Sequence, residues 1–393
     1  MKNIIAVGDG MADWKIPQLG GKTILEAADT PNMDRLSREG ILGTVRTVPE
    51  GMEPGSDVAN LSIMGYNPKK FYTGRGPLEA LSLGVELGEN DIAYRMNLVT
   101  IEENLMKDYS AGHISTEDSG PLVRDLANEM NDDRFSVYPG TGYRHLLVDS
   151  SGKNSLKCTP PHDISGRSIA EYTPKGEANM DILEFMGKAH TFLENHPFNE
   201  KRVSSGRNPA SHIWPWGQGT RPSMPKFREY YGLDGGVISA VDLLKGIASG
   251  AGLEVIDVPG ATGFLDTAFE AKAEYAVRFL EDNDFIYIHV EAPDETGHLG
   301  DYKKKTEAVE SFDKRMLGTF LKLMEGKDYR IMILPDHYTP VEIKTHSAEP
   351  VPFLIYSTRG GGGSNKKYTE KNCGESGLHF EDGPSALEYF LKF

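Results

Sequence analysis

Cysteine is nearly absent: Cys158 and Cys373 are the only two in 393 residues. Two cysteines so far apart make no disulfide framework, which fits a reducing, cytoplasmic compartment. Long apolar runs are missing as well. None approaches the ~18 residues of a membrane span, and the stretch Ile4-Ile5-Ala6-Val7 is too short for a secretory leader. Positive charge is scarce, with 42 Lys and Arg against 58 Asp and Glu and a net charge of −16. That balance argues against nucleic acid or an anionic membrane as partner.

What is present is the composition of an ordinary globular protein, 38% apolar and 25% charged, in a chain long enough for two domains. Three segments share one pattern, an apolar run with an acid close to its end. Asn3-Ile4-Ile5-Ala6-Val7 leads to Asp9, Phe285-Ile286-Tyr287-Ile288-His289-Val290 to Asp294, and Arg330-Ile331-Met332-Ile333-Leu334 to Asp336 and His337. Runs of this kind suit strands buried on both faces of a parallel sheet. Between them lie helical patterns. Val309, Phe312, Met316, Phe320 and Leu323 recur at steps of three and four, which predicts an amphipathic helix over 301–324. The alternation implies an α/β sheet, and such sheets bind ligands beyond the carboxyl ends of their strands, where all three acids fall. The middle of the chain is less regular, with a helix expected over 117–130 and a strand over 143–148. We read 67–188 as an inserted domain within a core of 1–66 and 189–393. The glycine tract of 359–364 reads as a mobile loop by composition.

The chemistry concentrates in Asp294-Glu295-Thr296-Gly297-His298, Asp336-His337 and His346. Asp294 and His298 stand four apart, so one turn of chain aims both at one point. With Asp9 they make three carboxylates and three imidazoles after strands or in the loops beyond them. Mixed oxygen and nitrogen donors suit zinc, manganese or a related divalent ion, and the count suggests two metals. Paired metals stabilise the attacking and leaving oxygens of phosphoryl transfer, and they supply the positive charge that an acidic protein needs to handle phosphate. A lone acid–histidine pair is more often a structural pair, so it is the joint pattern that carries weight. The second constellation is Pro54-Gly55-Ser56-Asp57-Val58-Ala59-Asn60-Leu61. Ser56 falls at the start of a helix, where free N–H groups favour a bound phosphate. It is a metal-activated nucleophile on one reading and a helix N-cap on the other.

Taken in order, Asp9, the Gly-Ser-Asp turn at Ser56, Asp294 with His298, Asp336-His337 and His346 resemble the alkaline-phosphatase superfamily. Gly8-Asp9-Gly10-Met11-Ala12-Asp13, Thr30-Pro31-Asn32-Met33-Asp34, Tyr72-Thr73-Gly74-Arg75-Gly76-Pro77 and Gly260-Ala261-Thr262-Gly263 look like archaeal-type cofactor-independent phosphoglycerate mutases. The resemblance spans nearly the whole chain. It implies an alkaline-phosphatase-like α/β core, a central and mostly parallel sheet flanked by helices, with a smaller α+β cap inserted. It implies that Asp294, His298 and His346 hold one divalent ion (manganese or zinc, with magnesium an option) and that Asp9, Ser56, Asp336 and His337 surround another. Ser56 would take the phosphoryl group of a small phosphorylated substrate, phosphoglycerate, and return it to the other hydroxyl. Arg75 and Arg95 are candidates to clamp the anionic substrate, since arginine suits bidentate contacts, with His113 and His162 as weaker substitutes.

Three places depart from the mutase pattern. Asn60 stands where a histidine is expected. Asp108-Tyr109-Ser110-Ala111-Gly112-His113 replaces an arginine-rich stretch, and Trp214-Pro215-Trp216-Gly217 replaces a segment with an arginine. Fewer fixed cations predict a weaker grip on phosphoglycerate and a histidine at 60 that does no harm. The same departures resemble a bacterial branch proposed to act as homoserine kinases, which keeps that reading, and a phosphatase, open beside the mutase.

Overall fold

The computed structural model describes residues 1–153, 156–177 and 179–393. The strands, in chain order, are β1 (Lys2–Gly8), β2 (Ile41–Val45), β3 (Ile92–Glu102), β4 (Leu105–Asp108), β5 (Phe135–Tyr138), β6 (Arg144–Asp149), β7 (His212–Thr220), β8 (Gly235–Ile238), β9 (Glu254–Val255), β10 (Phe285–Val290), β11 (Tyr329–Leu334), β12 (Val351–Ser357) and β13 (His379–Phe380). They form two compact units, one of Met1–Tyr72 with Met224–Phe393 and one of Thr73–Ser223.

The first unit holds an eight-stranded sheet in the order β13-β2-β12-β11-β1-β10-β8-β9. Its centre is parallel: β1 pairs with both β10 and β11, and β10 with β8. β12 and β2 continue it antiparallel. Each central strand is an apolar run because both of its faces are covered, and β10 is buried at all six positions. The helices Phe269–Phe279, Tyr302–Ser311 and Gly318–Leu323 lay Phe269, Ala273, Val309 and Phe320 against Ile4, Ile286, Ile331 and Ile333 in one core. The amphipathic pattern expected over 301–324 is therefore a helix, with a π-helical turn at Phe312–Leu317. That turn buries Asp313, whose carboxylate accepts from the backbone N–H of Asn32 (3.1 Å) and Met33 (2.6 Å) in the first turn of the helix Pro31–Glu39. A carboxylate there satisfies donors that the helix itself leaves unpaired. The glycine tract is held down rather than loose. The N–H groups of Gly363 and Ser364 donate to the Gly40 carbonyl, and a Cβ at Gly362 would stand 2.7 Å from the Gly40 backbone.

The second unit is built on antiparallel pairing around β3, which meets β4, β6 and β7, with β5 beyond β6. Ile92, Tyr94, Met96 and Leu98 of β3 join Leu122, Val123 and Leu126 of the helix Thr116–Met130 and Ile182 and Phe185 of the helix Asn179–Glu194 in its core. This unit begins at Thr73 and runs to Ser223, beyond the 67–188 read from sequence. The cause is β7, which pairs with β3 across nearly its whole length and so belongs to this sheet although it lies far along the chain.

Candidate active site

In the first unit, three parallel strands deliver their acids to one place. Asp9 follows β1, Asp294 lies on the short helix Ala292–His298 after β10, and Asp336 and His337 follow β11. Asp9 and Asp294 are almost wholly buried, and Asp336 and His337 completely so. Asp294 Oδ2 is 3.1 Å from His298 Nε2 and its Oδ1 is 3.6 Å from His346 Nε2. His337 Nε2 lies 3.5 Å from Asp336 Oδ2 and 3.6 Å from Asp9 Oδ1. The ligand atoms of Asp294, His337 and His346 all fall within 4.8 Å of one another, and those of Asp9, His289 and Asp336 do the same. All seven residues expected from the sequence as a metal set meet here, together with His289.

Ser56 is the first residue of the helix Ser56–Ile63, and Gly55, in extended backbone, is its N-cap. The N-cap reading of Ser56 therefore does not hold. Its hydroxyl points instead to His337 Nε2, 3.2 Å away. The tautomers follow from the neighbours. Thr339 donates its one hydroxyl hydrogen to Asp294 Oδ1, so its oxygen must accept from His337 Nδ1, 3.2 Å away. That leaves Nε2 of His337 bare, and Ser56 donates to it. His298 Nδ1 is 3.0 Å from the Lys344 carbonyl and His346 Nδ1 is 3.3 Å from that of Pro54, so both donate from Nδ1 and turn Nε2 inward. Gly10, at φ +60°, makes room for this arrangement. A Cβ there would stand 2.4 Å from Thr339 Oγ1 and 2.8 Å from Asp294 Oδ1.

The electrostatics ask for a cation. Burial, then the Asp336 and Asp294 carboxylates, hold Asp9 well above the usual carboxylate range. Burial lowers the His298 pKa, but Asp294 outweighs it and keeps the imidazole at about 9. Among the described residues, the buried Asp9 Oδ1 and His289 Nε2 have no hydrogen-bond partner, although His289 Nε2 stands 3.0 Å from Asp9 Oδ2 without the alignment of a bond. Nε2 of His298 and Nε2 of His346 face each other at 3.0 Å, a gap that needs a proton or a metal. Orphaned buried polar atoms, imidazole nitrogens turned inward and three buried carboxylates form a set that divalent cations satisfy.

Two parts of this site lie outside what the sequence pattern marks, His289 and the setting of Asn60. His289 was hidden inside an apolar run, and a histidine fully buried on a central strand was its one signal. Asn60 is fully buried and does not stand open as part of an anion clamp. It donates to Asp336 Oδ2 at 2.7 Å.

The second unit holds the other candidates. The guanidinium groups of Arg75 and Arg95 lie over the ring of Trp216, 5.5 and 5.0 Å from its centroid. His162 meets the same ring edge-on at 5.3 Å. The indole N–H donates to Asn97 Oδ1 at 3.0 Å, which fixes the ring. Trp216 is thus the platform on which the arginines sit. Arg95 and Asn97 share one face of β3, and Arg95 pairs in register with Trp216 on β7. Arg95 is buried and ion-paired to Glu79 at 3.2 Å. Burial lowers its pKa, Glu79 opposes that, and Arg75 and Arg144 lower it further, to about 10. His113 stands apart from the indole, beside Tyr109 and Tyr143. It ends a left-handed run, Ala111, Gly112 and His113, at φ +50°, +71° and +48°.

No helix among the described residues is long and apolar enough to cross a membrane, and Cys158 and Cys373 are both free thiols. A family model described as 2,3-bisphosphoglycerate-independent phosphoglycerate mutase matches residues 37–199. A protein of Methanothrix thermoacetophila named 2,3-bisphosphoglycerate-independent phosphoglycerate mutase is 48% identical over 393 residues, covering 100% of both chains. A solved protein of Pyrococcus horikoshii is 34% identical, with a TM-score of 0.84 over 100% of this chain and 96% of that one. The cofactor-independent phosphoglycerate mutase of Thermoplasma acidophilum, 24% identical, shares the fold at a TM-score of 0.67 over 100% of this chain and 99% of its own. With its α/β sheet, its full-length relatives at this identity and its acid–histidine set in family order, the chain belongs to the family of 2,3-bisphosphoglycerate-independent phosphoglycerate mutases.

Proposed function

We propose that this chain interconverts 2- and 3-phosphoglycerate through a phosphoserine on Ser56. The observation that carries the reading is the Ser56 hydroxyl, aimed at the bare Nε2 of His337 among three buried carboxylates. Asp294, His298 and His346 would hold one divalent ion and Asp9, Ser56, Asp336 and His337 the other, with manganese or zinc best suited to these donors. Divalent ions held by these residues would supply Lewis-acid chemistry, lowering the pKa of the serine hydroxyl and offsetting charge on the phosphoryl oxygens.

The protein's own part is to position groups and to keep protons in balance. Ser56 Oγ forms a bond to phosphorus as the bond from phosphorus to the glycerate oxygen breaks. The proton lost by Ser56 passes to the departing glycerate oxygen. In the return step the other glycerate hydroxyl attacks the phosphoserine and gives its proton back to Ser56, so nothing is gained or lost. We assign to Arg75 and Arg95 the grip on an anionic group of the substrate, with His113 and His162 in supporting contacts.

The named relatives favour this reading over a homoserine kinase, because a full-length protein at 48% identity carries the mutase name. The test is turnover of purified, manganese-loaded protein with 3-phosphoglycerate alone. The expected result is formation of 2-phosphoglycerate without added bisphosphoglycerate, its loss on chelation, and its return with manganese or zinc. Release of inorganic phosphate in place of the isomer, or phosphorylation of homoserine from a nucleotide with no isomerisation, would overturn it.

A further inference from the structure

Asn60 sits one helical turn after Ser56 with no exposed surface. A buried amide has to place every donor and acceptor. Its Nδ2 donates to the Ser56 carbonyl at 2.8 Å and to Asp336 Oδ2 at 2.7 Å, and its Oδ1 accepts from the Tyr287 hydroxyl at 2.5 Å. The orientation of the amide is dictated by its partners. A carbonyl and a carboxylate only accept, so both must face the NH2 group, and Tyr287 must donate to Oδ1. Three elements meet at one side chain: the helix that begins with Ser56, the middle of β10, and the end of β11.

Asp336 is held from both sides as a result. Its Oδ1 accepts from the backbone N–H of Gly10 at 3.1 Å and of His337 at 2.9 Å, while Oδ2 accepts from Asn60. All three donors are neutral. A carboxylate has about four lone-pair directions, so they orient Asp336 and still leave it free to bind a cation.

We propose that Asn60, fixed by Tyr287, is a positioning residue that locks the metal-binding carboxylate of Asp336 to the turn carrying Ser56. It sets the distance between nucleophile and metal and does not touch the substrate. The inference rests on the functional reading above for its effect on turnover, but not for its effect on metal affinity. It also reverses the expectation that a histidine at 60 does no harm. An imidazole has two ring nitrogens for the three contacts made here, so at least one of Ser56, Asp336 and Tyr287 loses its bond.

The experiment uses the full-length protein, with manganese titrated calorimetrically, the circular-dichroism spectrum and unfolding recorded, and the mutase assayed. Partners of metal-binding side chains typically change affinity or activity by ~10–100-fold when removed. Asn60→Leu is therefore expected to weaken manganese binding at one site and lower kcat by about that factor, with KM within about twofold. Asn60→His is expected to fall between it and the wild type. A folded Asn60→Leu that binds manganese and turns over like the wild type would overturn the proposal. So would a rise in KM alone. If Asn60→Leu does not fold, Tyr287→Phe decides, because it keeps the Asp336 contact and frees only the amide. Weaker manganese binding supports the lock and unchanged binding sinks it. Absence of turnover in the wild type would count against the functional reading and leave the titrations to judge Asn60.

Discussion

The acid–histidine site of the first unit and the arginine–tryptophan cluster of the second are built in different ways. In the first, each acid follows a parallel strand by a few residues, so the sheet brings together groups that the sequence already marks. In the second, Arg75, Arg95 and His162 meet at Trp216 because a helix start, two antiparallel strands and the short 3-10 helix Pro161–Ile164 come together there. No local pattern marks them. The first type of site is rigid in its ligands and tolerates few changes. The second, on the proposed reading, would grip by charge, and a change there should weaken binding without ending chemistry.

The largest expected effect belongs to Ser56. Ser56→Ala should lower kcat at least ~10³-fold, since it removes the group proposed to carry the phosphoryl. It costs about 1 kcal/mol or less in stability, because Gly55 and not Ser56 caps the helix and one hydrogen bond is lost. Intact-mass measurement of the wild type with substrate should find a phosphoryl adduct on Ser56, absent in the variant. Near-normal turnover by Ser56→Ala would place the chemistry elsewhere.

A smaller effect is expected in the second unit. Arg95→Lys keeps the charge facing Glu79 but loses the guanidinium that lies over Trp216. A charge-assisted hydrogen bond is worth ~1.5–3 kcal/mol, so KM should rise by about tenfold to a hundredfold with kcat within about threefold. A fall in kcat at constant KM would erase the contrast between the two sites.

The smallest effect is on stability alone. His145 on β6 is buried, and its Nδ1 accepts from the Gly140 N–H at 3.0 Å. Burial, then Arg144, lowers its pKa to about 3. Because an unfolded histidine titrates near ~6.5, the unfolded chain takes up the proton first as pH falls. Stability therefore drops progressively from pH ~6.5 toward the folded value. His145→Asn offers an amide oxygen in place of Nδ1 and has nothing to titrate. Urea unfolding at pH 7, 5 and 4 should show a shallower loss for the variant. Equal losses would mean that this histidine does not govern the acid limb.

Much of the first site was legible because parallel strands put function at their ends. An apolar run with an acid just beyond it identifies the strand and the candidate ligand together, as with Asp9, Asp294 and Asp336. His289 was not legible, because within a strand the same run that shows burial hides a polar side chain pointing toward the site. By type alone, Asn60 reads as a missing cation. Only packing reveals that it holds Asp336 and accepts from Tyr287, a residue more than two hundred positions away in the chain. Trp216 was read as a lost arginine for the same reason, since its value lies in what stacks on it.

By itself, the sequence determined the α/β alternation, the buried central strands, the metal-type donor set and the serine at a helix start. Those follow from local periodicity and from residue chemistry carried at fixed places along the chain. Tertiary structure alone decided which way each imidazole turns, that Gly55 rather than Ser56 caps its helix, that β7 joins the second sheet, and that two guanidinium groups share one indole. Each of these depends on hydrogen bonds or stacking between residues far apart in sequence, and a carbonyl such as that of Lys344 fixes a ring nitrogen only once the fold brings the two within 3.0 Å.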